Sequence, residues 1–242
     1  MPAVRAETMV PAVLVLFDID GTLIRTAGAG VRGMNDAFER LHGRRGALQG
    51  VPVSGRTDRA ILSEVFSRWN EELTDAVVAP LRDLYFEELA RELQSATGPG
   101  FGVLPGVHEA LDALEGDPAF AVGLLTGNFE RGAAIKLAHF DLWRRFRFGA
   151  FGDEHTDRRA LVPVAMARAR ALGIDASHVV VIGDTPLDVD CAHAHGARAV
   201  AVATGEYSLD DLAATGAEIV VDTLETLHPI TERLAALCAV SR

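Results

Sequence analysis

The stretch Phe17-Asp18-Ile19-Asp20-Gly21-Thr22-Leu23 follows directly on the apolar run Ala12 to Leu16. A short Val/Leu run that ends in a polar turn reads as a strand buried on both faces of a parallel sheet. Ligands of such sheets bind just outside the carboxyl ends of the strands. Asp18 and Asp20, two positions apart at that strand end, can therefore face one site, the first as nucleophile or metal ligand and the second as proton carrier. Gly21 lets the backbone turn sharply and approach a ligand. Thr22 adds a hydroxyl and a backbone N–H where an anion can sit. A plain Asp/Gly/Thr turn competes with this reading when the motif stands alone, and the partner motifs downstream decide between them.

Strand-like runs recur at Ala121-Val122-Gly123-Leu124-Leu125, Val179-Val180-Val181-Ile182, Ala199 to Ala203 and Ile219-Val220-Val221. Amphipathic stretches such as Leu161 to Leu172 and Leu187 to His195 lie between them. This alternation predicts an α/β fold with a doubly wound parallel sheet. About a hundred residues separate the first strand from Ala121, whereas a βαβ unit takes roughly thirty. The interval reads helical over Val31 to His42, Thr57 to Trp69 and Thr74 to Ala96. Gly28 and Gly30 bound it on one side; Gly98-Pro99-Gly100-Phe101-Gly102 and Pro105-Gly106 bound it on the other. Residues 25–103 are thus expected to form a helical domain inserted into a core of residues 1–24 and 104–242, hinged on glycines and placed to act as a lid.

Bulk properties narrow the function classes. The chain has 242 residues, 49% of them hydrophobic and 24% charged, as in an ordinary globular protein of one or two domains. A net charge of −11 argues against nucleic acid or an anionic membrane as the main partner, since both require a basic face. Cys191 and Cys238 are the only cysteines, which fits a reducing compartment. Met1 to Pro11 lacks the apolar centre of a signal peptide, and the longest apolar runs fall well short of a membrane span. The expected location is the cytoplasm. Lys136 is the only lysine, so any role that needs one falls to Lys136 or passes to an arginine.

The later strands end in polar residues suited to one task. Ala121 to Leu125 runs into Thr126-Gly127-Asn128, where a hydroxyl and a backbone N–H beside a glycine can cradle a phosphate oxygen. Val179 to Ile182 runs into Gly183-Asp184-Thr185-Pro186-Leu187-Asp188, in which Thr185 can cap the next helix and Pro186 suits its first turn. Asp184 projects into the same crevice as Asp18, and Asp188 lies about one helical turn on. Acidic oxygen ligands around an open position suit Mg²⁺, which keeps some waters and meets substrate phosphate. In Asp157-Arg158-Arg159, a cation can neutralise phosphate or a carboxylate through the bidentate guanidinium fork.

The order Asp18-Ile19-Asp20-Gly21-Thr22, Thr126-Gly127-Asn128, Arg158 or Arg159, then Gly183-Asp184 with Asp188 resembles the haloacid dehalogenase (HAD) superfamily over nearly the whole chain. The helical insertion looks like that family's C1-type cap. Leu104-Pro105-Gly106-Val107 and Gly55-Arg56-Thr57-Asp58 resemble its phosphoglycolate phosphatase-like branch. The chain departs from the family pattern in carrying arginine where most members have lysine in the third motif. The Asp-Arg setting favours Arg158, and counting back from Leu172-Gly173 favours Arg159.

The resemblance implies a Mg²⁺-dependent phosphatase that hydrolyses a small-molecule phosphate monoester, phosphoglycolate-like, through an aspartyl-phosphate. Asp18 would be the nucleophile and Asp20 the acid and base. Thr126 and Arg158 would stabilise the transferring group. Gly21, Thr22, Gly127, Asn128, Arg159 and Arg56 are the further phosphate- or substrate-binding candidates. Asp18, Asp20 (through its carbonyl), Asp184 and Asp188 would surround the metal, the last in a supporting position. A sugar-phosphate mutase of the β-phosphoglucomutase type and a non-catalytic phosphate-binding regulatory module are the alternatives. Asp20 argues against carbon-attacking dehalogenase chemistry, and the lysine-free interval 25–103 against a Schiff-base phosphonate hydrolase. Asp153 and Glu154 could approach the metal or simply solvate a loop. His193 and His195 read as surface or packing residues, and Trp69, Trp143, Phe146, Phe148 and Phe151 as packing. Monomer and homodimer both fit.

Overall fold

The computed structural model describes residues 12–98, 100–153 and 155–239. The elements in chain order are β1 (Val13–Phe17), β2 (Ile24–Thr26), α1 (Ala29–His42), α2 (Asp58–Arg68), α3 (Asp75–Ser95), β3 (Phe101–Val103), α4 (Val107–Gly116), β4 (Phe120–Leu125) and α5 (Glu130–His139). There follow β5 (Gly149–Ala150), α6 (Leu161–Ala171), β6 (His178–Gly183), α7 (Pro186–His193), β7 (Arg198–Val202), α8 (Leu209–Ala213), β8 (Ile219–Val221) and α9 (Ile230–Ala239). Met1 to Pro11 and Glu154 lie outside the described residues. No helix among the described residues is long and apolar enough to cross a membrane.

Six strands form one parallel sheet in the order β5-β4-β1-β6-β7-β8, with β1 between β4 and β6. The apolar run of β1 has no polar alternation because both of its faces are covered. Val13, Val15 and Phe17 pack with Leu111 and Leu114 of α4, Leu137 of α5 and Leu234 of α9. Leu14 and Leu16 pack on the opposite face with Val162 and Ala165 of α6 and Val189 of α7. The sheet is thus doubly wound, and its register sets the site. Phe17 is level with Leu124 on one side and Ile182 on the other. Asp18, Thr126 and Asp184 consequently emerge together at the carboxyl edge.

The insertion forms a separate layer over that edge. Met34 and Phe38 of α1, Leu62 and Phe66 of α2 and Leu81 and Leu89 of α3 share a third apolar cluster, which also takes in Phe129 from the core. Gly33 lets α1 approach α3 closely, since a Cβ there would lie 2.9 Å from the Leu89 amide nitrogen. Both links to the core are strands: β2 and β3 pair antiparallel, Ile24 opposite Val103 and Thr26 opposite Phe101. The expected boundaries at 24/25 and 103/104 fall within or beside this two-stranded ribbon. Glycine-rich composition pointed to flexible links, and the ladder hydrogen bonds instead hold the two links together.

Candidate active site

Asp18 is the first residue beyond β1, fixed by its N–H donating to the Ile182 carbonyl at 2.9 Å. Its buried carboxylate shares a cluster with those of Asp184 and Asp188, with one oxygen of each within 4.8 Å of the others. Asp184 sits in a cradle where only glycines fit: a Cβ on Gly205 would lie 1.7 Å from its Oδ2 and one on Gly21 2.3 Å. Gly21 also has φ 81°, a conformation that favours glycine. Thr22 Oγ1 donates to Asp184 Oδ1 at 3.2 Å. Gly21 and Thr22, expected to hold phosphate, are thereby placed against Asp184, outside the cavity lining.

Arg158 separates the two arginine alternatives. It opens a single 3₁₀ turn ahead of α6 and is 6% exposed. Its Nη2 lies 2.9 Å from Asp18 Oδ1 and 2.5 Å from Asp188 Oδ1, and Nη1 donates to the Gly55 carbonyl at 2.8 Å. Burial alone would make this guanidinium easier to deprotonate; the facing Asp188 and Asp18 carboxylates overcome that and raise its pKa. Arg159 points away to Asp157 and Asp190 on the surface, held by exposed partners, and takes no part in the cluster. The assignment of Arg159 to phosphate is corrected accordingly. Asp188 anchors Arg158, and its Oδ2 accepts from Thr185 N and Oγ1 at 3.0 and 2.8 Å, closing the first turn of α7.

Three buried carboxylates face one guanidinium, so the cluster carries excess negative charge. Burial, only partly offset by Arg158, pushes the Asp18 carboxyl up to about 6. Burial and the Asp18 charge raise Asp184 well above the usual carboxylate range. Asp18 Oδ1 lacks an aligned hydrogen bond despite its closeness to Arg158. Hard oxygen donors, surplus negative charge and an unsatisfied oxygen fit a divalent cation such as Mg²⁺. Asp18 and Asp184 have oxygens to offer, whereas both oxygens of Asp188 are already engaged.

A cavity of about 200 Å³ opens between this cluster and the helical layer. The core contributes Asp18, Asp20, Thr126, Gly127, Asn128 and Arg158 to it, and the helical layer an apolar wall that includes Val31, Met34 and Ile61. Asn128 Nδ2 donates to Asp20 Oδ2 and to Thr126 Oγ1, both at 2.8 Å. The loop before α2 closes the seam. Asp58 N donates to the Gly127 carbonyl at 2.7 Å, and Asp58 Oδ2 accepts from Phe129 N at 2.8 Å. Arg56 lines the cavity, yet its guanidinium is bound to Glu64 and to the Pro52 carbonyl. Arg56, a candidate for substrate contact or for a helix-start role, is thus at the cavity while its guanidinium ties the loop together.

Two residues of the site escaped the sequence reading. Asp58 is buried, and desolvation, offset in part by Lys136, pushes its carboxyl up to about 6. Lys136 on α5 reaches Asp20 and Asn128. Its signal was a lone charge on the buried Ala133/Leu137 face of a helix, where an apolar residue belongs. Asp153 accepts from Glu130 N at 2.7 Å and lies 3.8 Å from Arg82, away from the acidic cluster. His193 contacts Glu218, and His195 contacts the Arg159 carbonyl.

The likeness to known proteins runs the length of this architecture. The family profile for haloacid dehalogenase-like hydrolases matches residues 15–193. A "Probable phosphatase IndB" of Dickeya dadantii is 27% identical over 216 residues, covering 87% of this chain and 89% of the relative. A "Phosphoglycolate phosphatase" of Agrobacterium fabrum is 24% identical over 225 residues, covering 89% of this chain and 91% of the relative. A crystallised hydrolase from Pseudomonas syringae superposes with a TM-score of 0.66 at 20% identity, covering 96% of this chain and all of that one. With most of its length under the family profile, and with phosphatases among its relatives, the chain belongs to the haloacid dehalogenase-like hydrolases and is a phosphatase of the phosphoglycolate phosphatase-like branch.

Proposed function

We propose that this phosphatase hydrolyses a small-molecule phosphate monoester in two steps through an aspartyl-phosphate on Asp18. The observation that carries the reading is the convergence of Asp18, Arg158, Thr126 and Asp20 on one cavity roofed by the helical layer. Asp18 attacks phosphorus in line as the bond to the leaving oxygen breaks. Asp20 gives its proton to that oxygen, then takes one from the water that cleaves the aspartyl-phosphate. Arg158 holds the Asp18 carboxylate in place and offsets charge on the transferring group, with Thr126 and nearby backbone N–H groups donating to its oxygens. Mg²⁺, held by Asp18, Asp184 and the Asp20 carbonyl with Asp188 behind them, would supply further neutralisation of phosphate charge. Closure of the helical layer excludes bulk water.

The Agrobacterium relative makes phosphoglycolate the first ester to try. The test is phosphate release from phosphoglycolate, hexose 1- and 6-phosphates, nucleotides and pyrophosphate, with and without Mg²⁺. Selective, Mg²⁺-dependent release that Asp18→Asn abolishes is expected. Interconversion of sugar phosphates without release would move the reading to a mutase. Silence on both counts from folded, Mg²⁺-loaded protein would refute hydrolysis of these esters.

A further inference from the structure

The only lysine of the chain is buried in the candidate active site. Lys136 is 4% exposed, and its Nζ donates to Asp20 Oδ2 and to Asn128 Oδ1, each at 2.6 Å. Asn128 Nδ2 donates in turn to the same Asp20 oxygen at 2.8 Å. The three side chains close a ring of three donor–acceptor contacts. The ring also fixes the amide orientation of Asn128, because a flipped amide would turn its NH₂ toward the ammonium. Burying an ammonium is expensive without such partners, and an apolar residue would suit the neighbouring Ala133 and Leu137 better. The helical layer leaves space for it: a Cβ on Gly30 would come within 3.3 Å of Nζ.

We infer that Lys136 is the positioning residue for Asp20, an assignment that rests on the phosphatase reading above. Oδ2 of Asp20 is occupied by two donors, Lys136 and Asn128. That leaves Oδ1 as the oxygen that carries the proton. As the Asp18 oxygen bonds to phosphorus and the ester P–O bond breaks, the proton on Oδ1 passes to the departing oxygen, and Oδ1 later recovers one from the attacking water. Lys136 itself neither bonds to the substrate nor exchanges that proton. Its effect is to hold the Asp20 carboxyl in one rotamer, facing the leaving group.

A positioning role and a structural role differ in how they depend on the leaving group. An aryl phosphate such as p-nitrophenyl phosphate expels its oxygen with little help from an acid, whereas an alkyl phosphate needs the proton. General acid catalysis contributes about 10²–10⁴-fold, and misplacement by about 1 Å can forfeit much of it. Lys136→Met is therefore expected to lower kcat on an alkyl phosphate turned over by the wild type by about 100-fold, and on p-nitrophenyl phosphate by less than about 3-fold, with KM nearly unchanged. Asp20→Asn should show the same split, and Lys136→Arg, which keeps donors toward both partners, should recover part of the loss. Equal losses on both esters, or none, would overturn the assignment while leaving the phosphatase reading intact. A wild type inert toward both classes of ester would overturn the two together. Should Lys136→Met fail to fold, Lys136→Gln carries the same comparison.

Discussion

At Gly127 the backbone of the core meets the backbone of the helical layer with no room for a side chain. A Cβ there would lie 2.1 Å from the Arg56 carbonyl oxygen and 2.7 Å from its carbonyl carbon, both backbone atoms of the loop before α2. Gly127→Ala cannot be absorbed by a side-chain rotamer, so the seam must part by more than about 1 Å to reach ordinary contact. Two hydrogen bonds cross the seam beside it, Asp58 N to the Gly127 carbonyl and Phe129 N to Asp58 Oδ2. Losing both at about 1 kcal/mol each costs about 2 kcal/mol and lowers Tm by about 4–8 °C. The larger effect is on the reaction. Thr126 and Asn128 flank the displaced residue and the cavity loses its roof, so kcat/KM for phosphate release is expected to fall about 100-fold. The assay is steady-state phosphate release beside a thermal melt of the same preparation. Wild-type kcat/KM in a protein carrying the alanine would refute the idea that this closed seam is the working form.

Arg158→Met leaves Asp18 and Asp188 facing each other without their shared cation, and should destabilise the metal-free protein by about 3–5 kcal/mol in urea unfolding. Asp58 titrates at about 6 when folded against 3.8 otherwise, so between these values the folded state holds the extra proton and stability falls as pH rises. The loss is complete above about 6 and amounts to about 3 kcal/mol at most. Asp58→Asn keeps an oxygen for Phe129 N–H and removes that slope, so its advantage over wild type should grow across this window; a pH-independent difference would count against it. Asp18, also raised to about 6, must lose its proton when Mg²⁺ binds. Calorimetry in buffers of different ionisation enthalpy should then show proton release on binding and tighter binding as pH rises through about 6.

Much of the core was legible because the physics is local. The β1, β4, β6, β7 and β8 runs announce themselves as apolar segments closed by polar turns, and the DxDGT and GDxxxD signals lie at the strand ends. The ribbon strands β2 and β3 gave no signal, since Ile24-Arg25-Thr26 and Phe101-Gly102-Val103 are not continuous apolar runs like Ile219-Val220-Val221, and their stability comes from each other. The strand β5 is shorter still. At the site, Arg158 and Arg159 are consecutive in one 3₁₀ turn and so point about 120° apart about its axis, and which of them faces inward is set by how the turn docks, which spacing does not encode. Arg56 illustrates the converse: it lines the cavity, but its pairing with Glu64 is a tertiary contact that the motif does not encode. Lys136 could have been found from its place on an apolar helical stripe, had the helix after Thr126 been read.

The β2–β3 ribbon makes the entire helical layer, topologically, the loop of a β-hairpin. Thr26 and Phe101 are cross-strand partners, so the chain leaves and re-enters the core at adjacent points. Exchange of everything between them for another sequence would leave the strand register of the main sheet untouched, because no main-sheet strand lies within the insertion. Closure entropy grows only with the logarithm of loop length, so the core is nearly indifferent to how large a structure the hairpin carries. A graft at this junction would thus leave the sheet that carries Asp18 and Asp184 intact, provided the replacement restores the contacts that Gly55 and Asp58 make with Arg158, Gly127 and Phe129.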